Sequence, residues 1–139
     1  MNNKELQLDL FVYYEPVSMD DPRDQSVASM VEEFAITAEQ EIDVPMSLKL
    51  VTEEFYELME EVRDSASKPE NELKEIGDLV YVLYGYARAK GYDLEEAVAR
   101  IHKNNLGRMK QPDGTIKRRD DGKILKNKDY PKVNLEDLV

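Results

Sequence analysis

Four acidic residues stand at spacings that could do chemistry: Glu54 with Glu57, and Glu75 with Asp78. Each pair is three residues apart, which on a helix puts both side chains on one face with Cβ atoms about 5–6 Å apart. Two such helices packed with those faces together would bring four carboxylates to one point. Carboxylates in that number repel one another unless cations bind them, and hard oxygen ligands suit Mg2+ or Mn2+. The pattern therefore predicts a divalent-metal site. A solvated acidic helix surface would show the same spacing, and Glu60 and Glu61 are read that way.

A metal pair held there would polarise a phosphoryl group and activate water. Glu53 adjoins the ligand pair and, lying outside it, is the candidate base that takes the water proton. A triphosphate also needs cations not committed to acids. Lys103, Arg108, Lys110, Lys123 and Lys126 are the candidates, with Asn104 or Asn105 as a neutral donor. The chain has no glycine-rich phosphate cradle and no strand-to-helix nucleotide fingerprint. Metal ions would have to do what backbone amides do elsewhere, which favours hydrolysis at phosphate over kinase-like transfer.

Positioning these residues calls for helices. Val27, Val31, Phe34 and Ala38, with Met30 alongside, recur at helical spacing and predict a first helix over about 24–39. Pro45 and Ser47 mark the start of a second, with an apolar stripe of Leu48, Val51, Phe55, Leu58 and Val62. After a break at 64–68, Ser67 with Glu70 has capping-box spacing and Pro69 fits the first turn of a third helix. That helix ends near Lys90 at Gly91. Its main stripe is Leu73, Ile76, Val80, Leu83 and Ala87. A second line runs from Glu75 and Asp78 through Leu79, Val82, Gly85 and Tyr86, so both acids point towards a region that turns apolar. An ionised carboxylate beside a packed face is costly unless paired or metal-bound, and this distinguishes these acids from a solvated surface.

Asp93 and Glu96 cap a fourth helix with Leu94, Ala97, Val98, Ile101 and Leu106 inward. Turn signals at 112–114 and 120–122 then predict a small β-hairpin about Asp121-Gly122. This basic tail is either an ordered lid over the triphosphate or a loose solubilising end. Residues 1–23, broken by Pro16 and Pro22, hold an extended apolar run at 10–14 and no assignable chemistry. His102 reads as a surface histidine, and Tyr81, Tyr84 and Tyr86 as core or interface residues rather than a base pocket.

Composition bounds the function. The 139 residues suit one domain, with a helical core over 24–109 and a tail over 110–139. Of the net charge of -11, residues 1–99 carry -16 and residues 100–139 carry +5. An acidic body of this kind argues against an extended duplex-binding surface. Without cysteine there is no disulfide framework or thiolate zinc site. No apolar run approaches a membrane span, and a basic leader followed by an apolar stretch is absent, so a soluble, cytoplasmic protein is expected.

The segment Glu54-Phe-Tyr-Glu57, followed after seventeen residues by Glu75-Ile-Gly-Asp78, resembles the ExxE and ExxD signature of the MazG-like all-α nucleoside triphosphate pyrophosphohydrolases. Ser47 to Glu54 ahead of it and Tyr92 to Ala97 behind it are also similar to that family. His102-Lys-Asn-Asn105-Leu-Gly-Arg108 and Arg119-Asp-Asp-Gly-Lys-Ile-Leu-Lys126, leading to Tyr130, resemble segments of a phage and bacterial branch. The sequence departs from that branch at Asn104, Gly107 and Arg108.

The resemblance implies an all-α, four-helix bundle that forms a homodimer or a dimer-of-dimers tetramer through its helices. It implies hydrolysis of a (deoxy)nucleoside triphosphate to the monophosphate and pyrophosphate, with guanine nucleotides the first to consider and phosphoribosyl-ATP the alternative substrate. Mg2+, replaceable by Mn2+, would be held by Glu54, Glu57, Glu75 and Asp78, two or more ions to a site. Glu53 would be the base, and Lys103, Asn105, Arg108 and Lys126 would contact substrate. A non-enzymatic acidic helical module that binds basic partners or divalent ions is the reading from a different class.

Overall fold

Capping residues decide where each helix begins. The computed structural model describes residues 25–139, and α1 (Val27–Thr37) follows Ser26, whose hydroxyl accepts from the Ser29 amide at 3.1 Å. α2 (Val44–Arg63) follows Asp43, whose carboxylate accepts from the Met46 amide at 2.8 Å, with Pro45 in the first turn. α3 (Pro69–Lys90) begins on a proline, and α4 (Leu94–Gly107) is capped by Asp93, which accepts from the Glu96 amide at 3.0 Å. Each capping oxygen satisfies an amide that the helix itself leaves unpaired. Gly91 closes α3 with φ at 73°, which lets Tyr92 N–H reach the Ala87 carbonyl at 2.9 Å and Gly91 N–H the Arg88 carbonyl at 3.0 Å.

The capping box expected at Ser67 does not form. A proline favours the first helical position, so Pro69 puts the cap at Lys68, which makes no side-chain capping bond, and Ser67 falls one residue too early. Its hydroxyl donates to the Glu61 carboxylate instead. Glu61, expected as ordinary surface, is therefore half-buried and ties the last turn of α2 to the loop, whereas Glu60 is exposed.

α2 and α3, joined by the short loop 64–68, form the principal helix pair, and α1 packs across α3. Arg88 of α3 holds Glu32 of α1, and the Ala28 amide donates to Glu95 of α4 at 3.5 Å. The described residues form four α-helices and no named strand, so the fold is all-α. None of these helices is long and apolar enough to cross a membrane.

The main apolar stripes are not where a buried core would put them. Among the described residues, Val31 and Ala87 are the buried apolar side chains. Leu73, Ile76, Val80 and Leu83 of α3 are exposed, Leu73 to 69 %, as are Leu48, Phe55 and Val62 of α2. Buried or half-buried in their place is the second line of α3, Glu75, Leu79 and Val82. At 100° per residue the two lines lie about a third of a turn apart. The α2–α3 contact uses the face that carries the acids, and the more continuous apolar stripe is left on the outside. On α4, Leu94 and Ala97 are half-buried, but Val98, Ile101 and Leu106 are exposed, contrary to expectation.

The tail runs along α4. Arg100 grips Asp137 with two bonds of 2.6 and 2.8 Å, Asn104 donates to the Pro131 carbonyl at 2.8 Å, and the Asp93 amide reaches the Leu138 carbonyl at 3.0 Å. The tail is thus fixed to the body rather than a loose solubilising end. The expected hairpin reduces to one antiparallel bridge, Arg118 with Ile124, around a turn with Gly122 at φ 85°. A short 3-10 turn, Glu136–Leu138, ends the chain. The expectation for residues 1–23 lies outside the described residues.

Candidate metal centre

In an antiparallel helix hairpin, residues equally far from the turn meet. Glu57 stands nine residues before Ala66 in the loop and Glu75 nine after it, so the two acid segments fall at the same level. Glu54, one turn earlier on α2, faces the same groove. Carboxylate oxygens of Glu54, Glu57 and Glu75 all lie within 4.8 Å of one another. Glu75 is only 8 % exposed, Glu54 is half-buried and Glu57 is open to solvent.

Asp78 is not one of this group of three. It sits one turn along α3, half-exposed, with Oδ2 2.6 Å from the Lys74 ammonium, which also lies 3.1 Å from Glu75 Oε1. Asp78 still acts on the cluster through space. Burial pushes the Glu54 carboxyl above the ordinary range, and repulsion from Glu57, Asp78 and Glu75 adds to this, while Lys74 opposes it. The same two contacts hold the Lys74 ammonium firmly protonated.

Two oxygens test whether this set suits a cation. Glu54 Oε2 and Glu75 Oε2 are shielded from solvent and have no hydrogen-bond partner among the described residues. An unpaired buried carboxylate oxygen is costly, and a divalent ion among three carboxylates would remove that cost. All-oxygen donors fit Mg2+ or Mn2+ and not a soft metal. The donor set therefore fits, with Glu54, Glu57 and Glu75 converging and Asp78 at the edge.

Glu53 lies outside the group of three: it is about half exposed and pairs with Lys49 at 3.6 Å, one turn back on α2. Along the same α2–α3 groove the walls become apolar. A cavity of about 370 Å3 is lined by Phe34, Leu50, Tyr81 and Val82, with Gln40, Ser47 and Arg88 as its polar members. Leu50 is one turn before Glu54 and Val82 one turn after Asp78. Tyr81, expected as core, lines this cavity and meets Phe34 edge-to-face at 6.1 Å. Burial raises its phenol above the usual range.

Of the expected substrate contacts, Arg108 and Lys126 meet in one basic cleft of about 770 Å3 with Lys117, Arg119, Lys123 and Lys128. Asn105 accepts from the Lys126 ammonium at 2.7 Å and orients it. Arg108 Nε is buried with no hydrogen-bond partner among the described residues. Lys103 and Lys110 are exposed and outside this cleft, and His102 is exposed. The departure at Gly107 has a local reason, since an added Cβ would collide with the ring of Tyr130. Sequence reasoning missed Lys74 and the packing of Tyr130 against Gly107. A lysine four residues before Asp78 on the same helix was the available signal for the first, and nothing local signalled the second.

A family model described as phosphoribosyl-ATP pyrophosphohydrolase matches residues 13–105. No curated protein matches the chain significantly.

Proposed function

This chain belongs to the phosphoribosyl-ATP pyrophosphohydrolase family, within the MazG-like all-α superfamily, and we propose that it hydrolyses a (deoxy)nucleoside triphosphate to the monophosphate and pyrophosphate. Membership points to a pyrophosphohydrolase acting on an acid anhydride in a nucleotide-like substrate, in a family that generally uses Mg2+. The observation that carries the proposal is the pair of shielded, partnerless oxygens on Glu54 and Glu75 within a three-carboxylate cluster. When bound, divalent cations supply Lewis-acid polarisation of phosphate oxygens and activation of water.

The chain's own residues do the rest. Glu54, Glu57 and Glu75 would hold the cations, together with Asp78. Glu53, next to the ligand pair and outside it, accepts the proton of the water that attacks the α-phosphorus. Arg108 and Lys126, with Asn105 fixing the latter, offer charge-assisted bonds to phosphate oxygens. The apolar cavity beside the acids takes the base between aromatic walls. The branch is the phage and bacterial MazG-like one, with guanine nucleotides the first to test.

The family description favours phosphoribosyl-ATP as a second reading. The cavity argues against it: a base carrying a further phosphorylated ribose needs a cation there, and Arg88, the one cation among the described residues of its lining, is engaged by Glu32. Two or four copies are proposed to assemble through the outer stripe of Leu73, Ile76, Val80 and Leu83, whose exposure leaves an apolar face to cover.

The test is a screen of the eight common nucleoside triphosphates and phosphoribosyl-ATP with Mg2+ or Mn2+, resolving pyrophosphate from phosphate. Pyrophosphate is expected from at least one triphosphate, and Asp78→Asn is expected to abolish its release while leaving the helical signal intact. Wild-type turnover in that variant, or no pyrophosphate from any substrate, would overturn the proposal.

A further inference from the structure

Lys74 is the one cation, among the described residues, within ion-pair range of Glu54, Glu57, Glu75 or Asp78. A lysine four residues from an acid on a helix ordinarily makes one solvated pair. Lys74 instead bridges two carboxylates, Glu75 at 3.1 Å and Asp78 at 2.6 Å, and both belong to the segment that faces the cluster. We propose that the Lys74 ammonium is the resident cation of the metal-free acid cluster, and that a divalent ion loads by displacing it. The inference rests on the reading of the cluster as a metal site.

Lys74 compensates only part of the cluster. It engages Glu75 through Oε1 and leaves Oε2 without a partner, and it does not reach Glu54, whose Oε2 is also unpaired. A single charge answers four, and its three donors sit at the Asp78 end of the group. A divalent ion among Glu54, Glu57 and Glu75 would satisfy the unpaired oxygens that the ammonium leaves. It would also repel an ammonium held on one of the same carboxylates. Displacement is easy because the Lys74 side chain is 63 % exposed and ends a flexible stem that extends into water. The lysine thus offsets acid repulsion while no metal is bound and competes with the metal for Glu75 and Asp78. Competition and stabilisation are two sides of one linkage, so removing Lys74 must tighten metal binding and weaken the metal-free fold.

The experiment is a Mn2+ titration of the full chain followed by electron paramagnetic resonance, with thermal melts in EDTA and in saturating Mn2+. The variants are Lys74→Met and Lys74→Gln, with Lys49→Met as a control for loss of a nearby positive charge paired to Glu53. Both Lys74 variants are expected to bind Mn2+ roughly two- to fivefold more tightly than wild type, the range of an exposed ion pair. They are expected to melt lower in EDTA and level with wild type at saturation, and Lys49→Met to leave Mn2+ affinity unchanged. Wild-type Mn2+ binding that is the same in the Lys74 variants, or shifted equally by Lys49→Met, overturns the exchange and leaves the metal site standing. Absence of Mn2+ binding in every protein overturns both.

Discussion

Glu54→Gln separates a metal cradle from an acidic surface because the two readings predict opposite signs. The substitution keeps the shape of the side chain and removes one of four mutually repelling charges. It also places an amide N–H beside Glu75, whose Oε2 has no donor. Leaving a buried polar group unpaired costs about 1–3 kcal/mol, so relieving one such oxygen should stabilise the metal-free protein by about 1–2 kcal/mol. At about 3 °C per kcal/mol for a chain of this size, the variant should melt about 3–6 °C above wild type in EDTA. Ligand linkage reverses the order. Wild type at a hundredfold excess of Mg2+ over its dissociation constant gains about 2.7 kcal/mol, or about 8 °C, and the variant, lacking one ligand charge, gains little. Scanning calorimetry with EDTA and then Mg2+ should therefore show the two melting temperatures crossing. If Glu54→Gln melts below wild type in EDTA and responds equally to Mg2+, the acids are a solvated surface and the metal argument fails.

Three further outcomes follow from the packing. Gly107→Ala should cost about 1–3 kcal/mol, as overpacking does, and free the tail from α4; urea unfolding reads the loss, and pairing it with Tyr130→Ala should recover most of it. Arg88 lowers the Glu32 carboxyl below its ordinary value of 4.5 by a hydrogen bond. That stability is present above 4.5 and lost as pH falls through the depressed value, so the melting difference between wild type and Glu32→Gln should be full near neutrality and close in acid. A difference that does not change with pH counts against the clamp between α1 and α3. Charging the outer stripe with Leu73→Glu and Ile76→Glu should convert an oligomer to monomer in sedimentation velocity with helicity retained, whereas an unchanged sedimentation coefficient removes that face as the interface.

Much of the architecture was legible because local chemistry sets it. Pro69, Gly91 and Asp93 mark helix boundaries by conformational preferences that tertiary contacts do not reverse. The facing of α2 and α3 was less legible, since periodicity shows that α3 has two apolar-leaning lines but not which one meets α2. The stripe richer in leucine and isoleucine lies outside, and the line that carries Glu75 lies inside, towards the other acids. The acids were visible as pairs three apart. Their unequal standing, with Asp78 drawn to Lys74 and Glu61 to Ser67, depends on side-chain competition that spacing alone does not encode. Gly107 against Tyr130 spans 23 positions and has no local signature.

In the proposed reaction, water attacks the α-phosphorus of a triphosphate at this acid cluster. Hydrolysis in 18O-labelled water with Mg2+, followed by mass spectrometry of both products, tests it most directly. Attack at the α-phosphorus puts one 18O in the nucleoside monophosphate and none in pyrophosphate, and Asp78→Asn should give no labelled product. Label in pyrophosphate, or in free phosphate released beside a diphosphate, would contradict it.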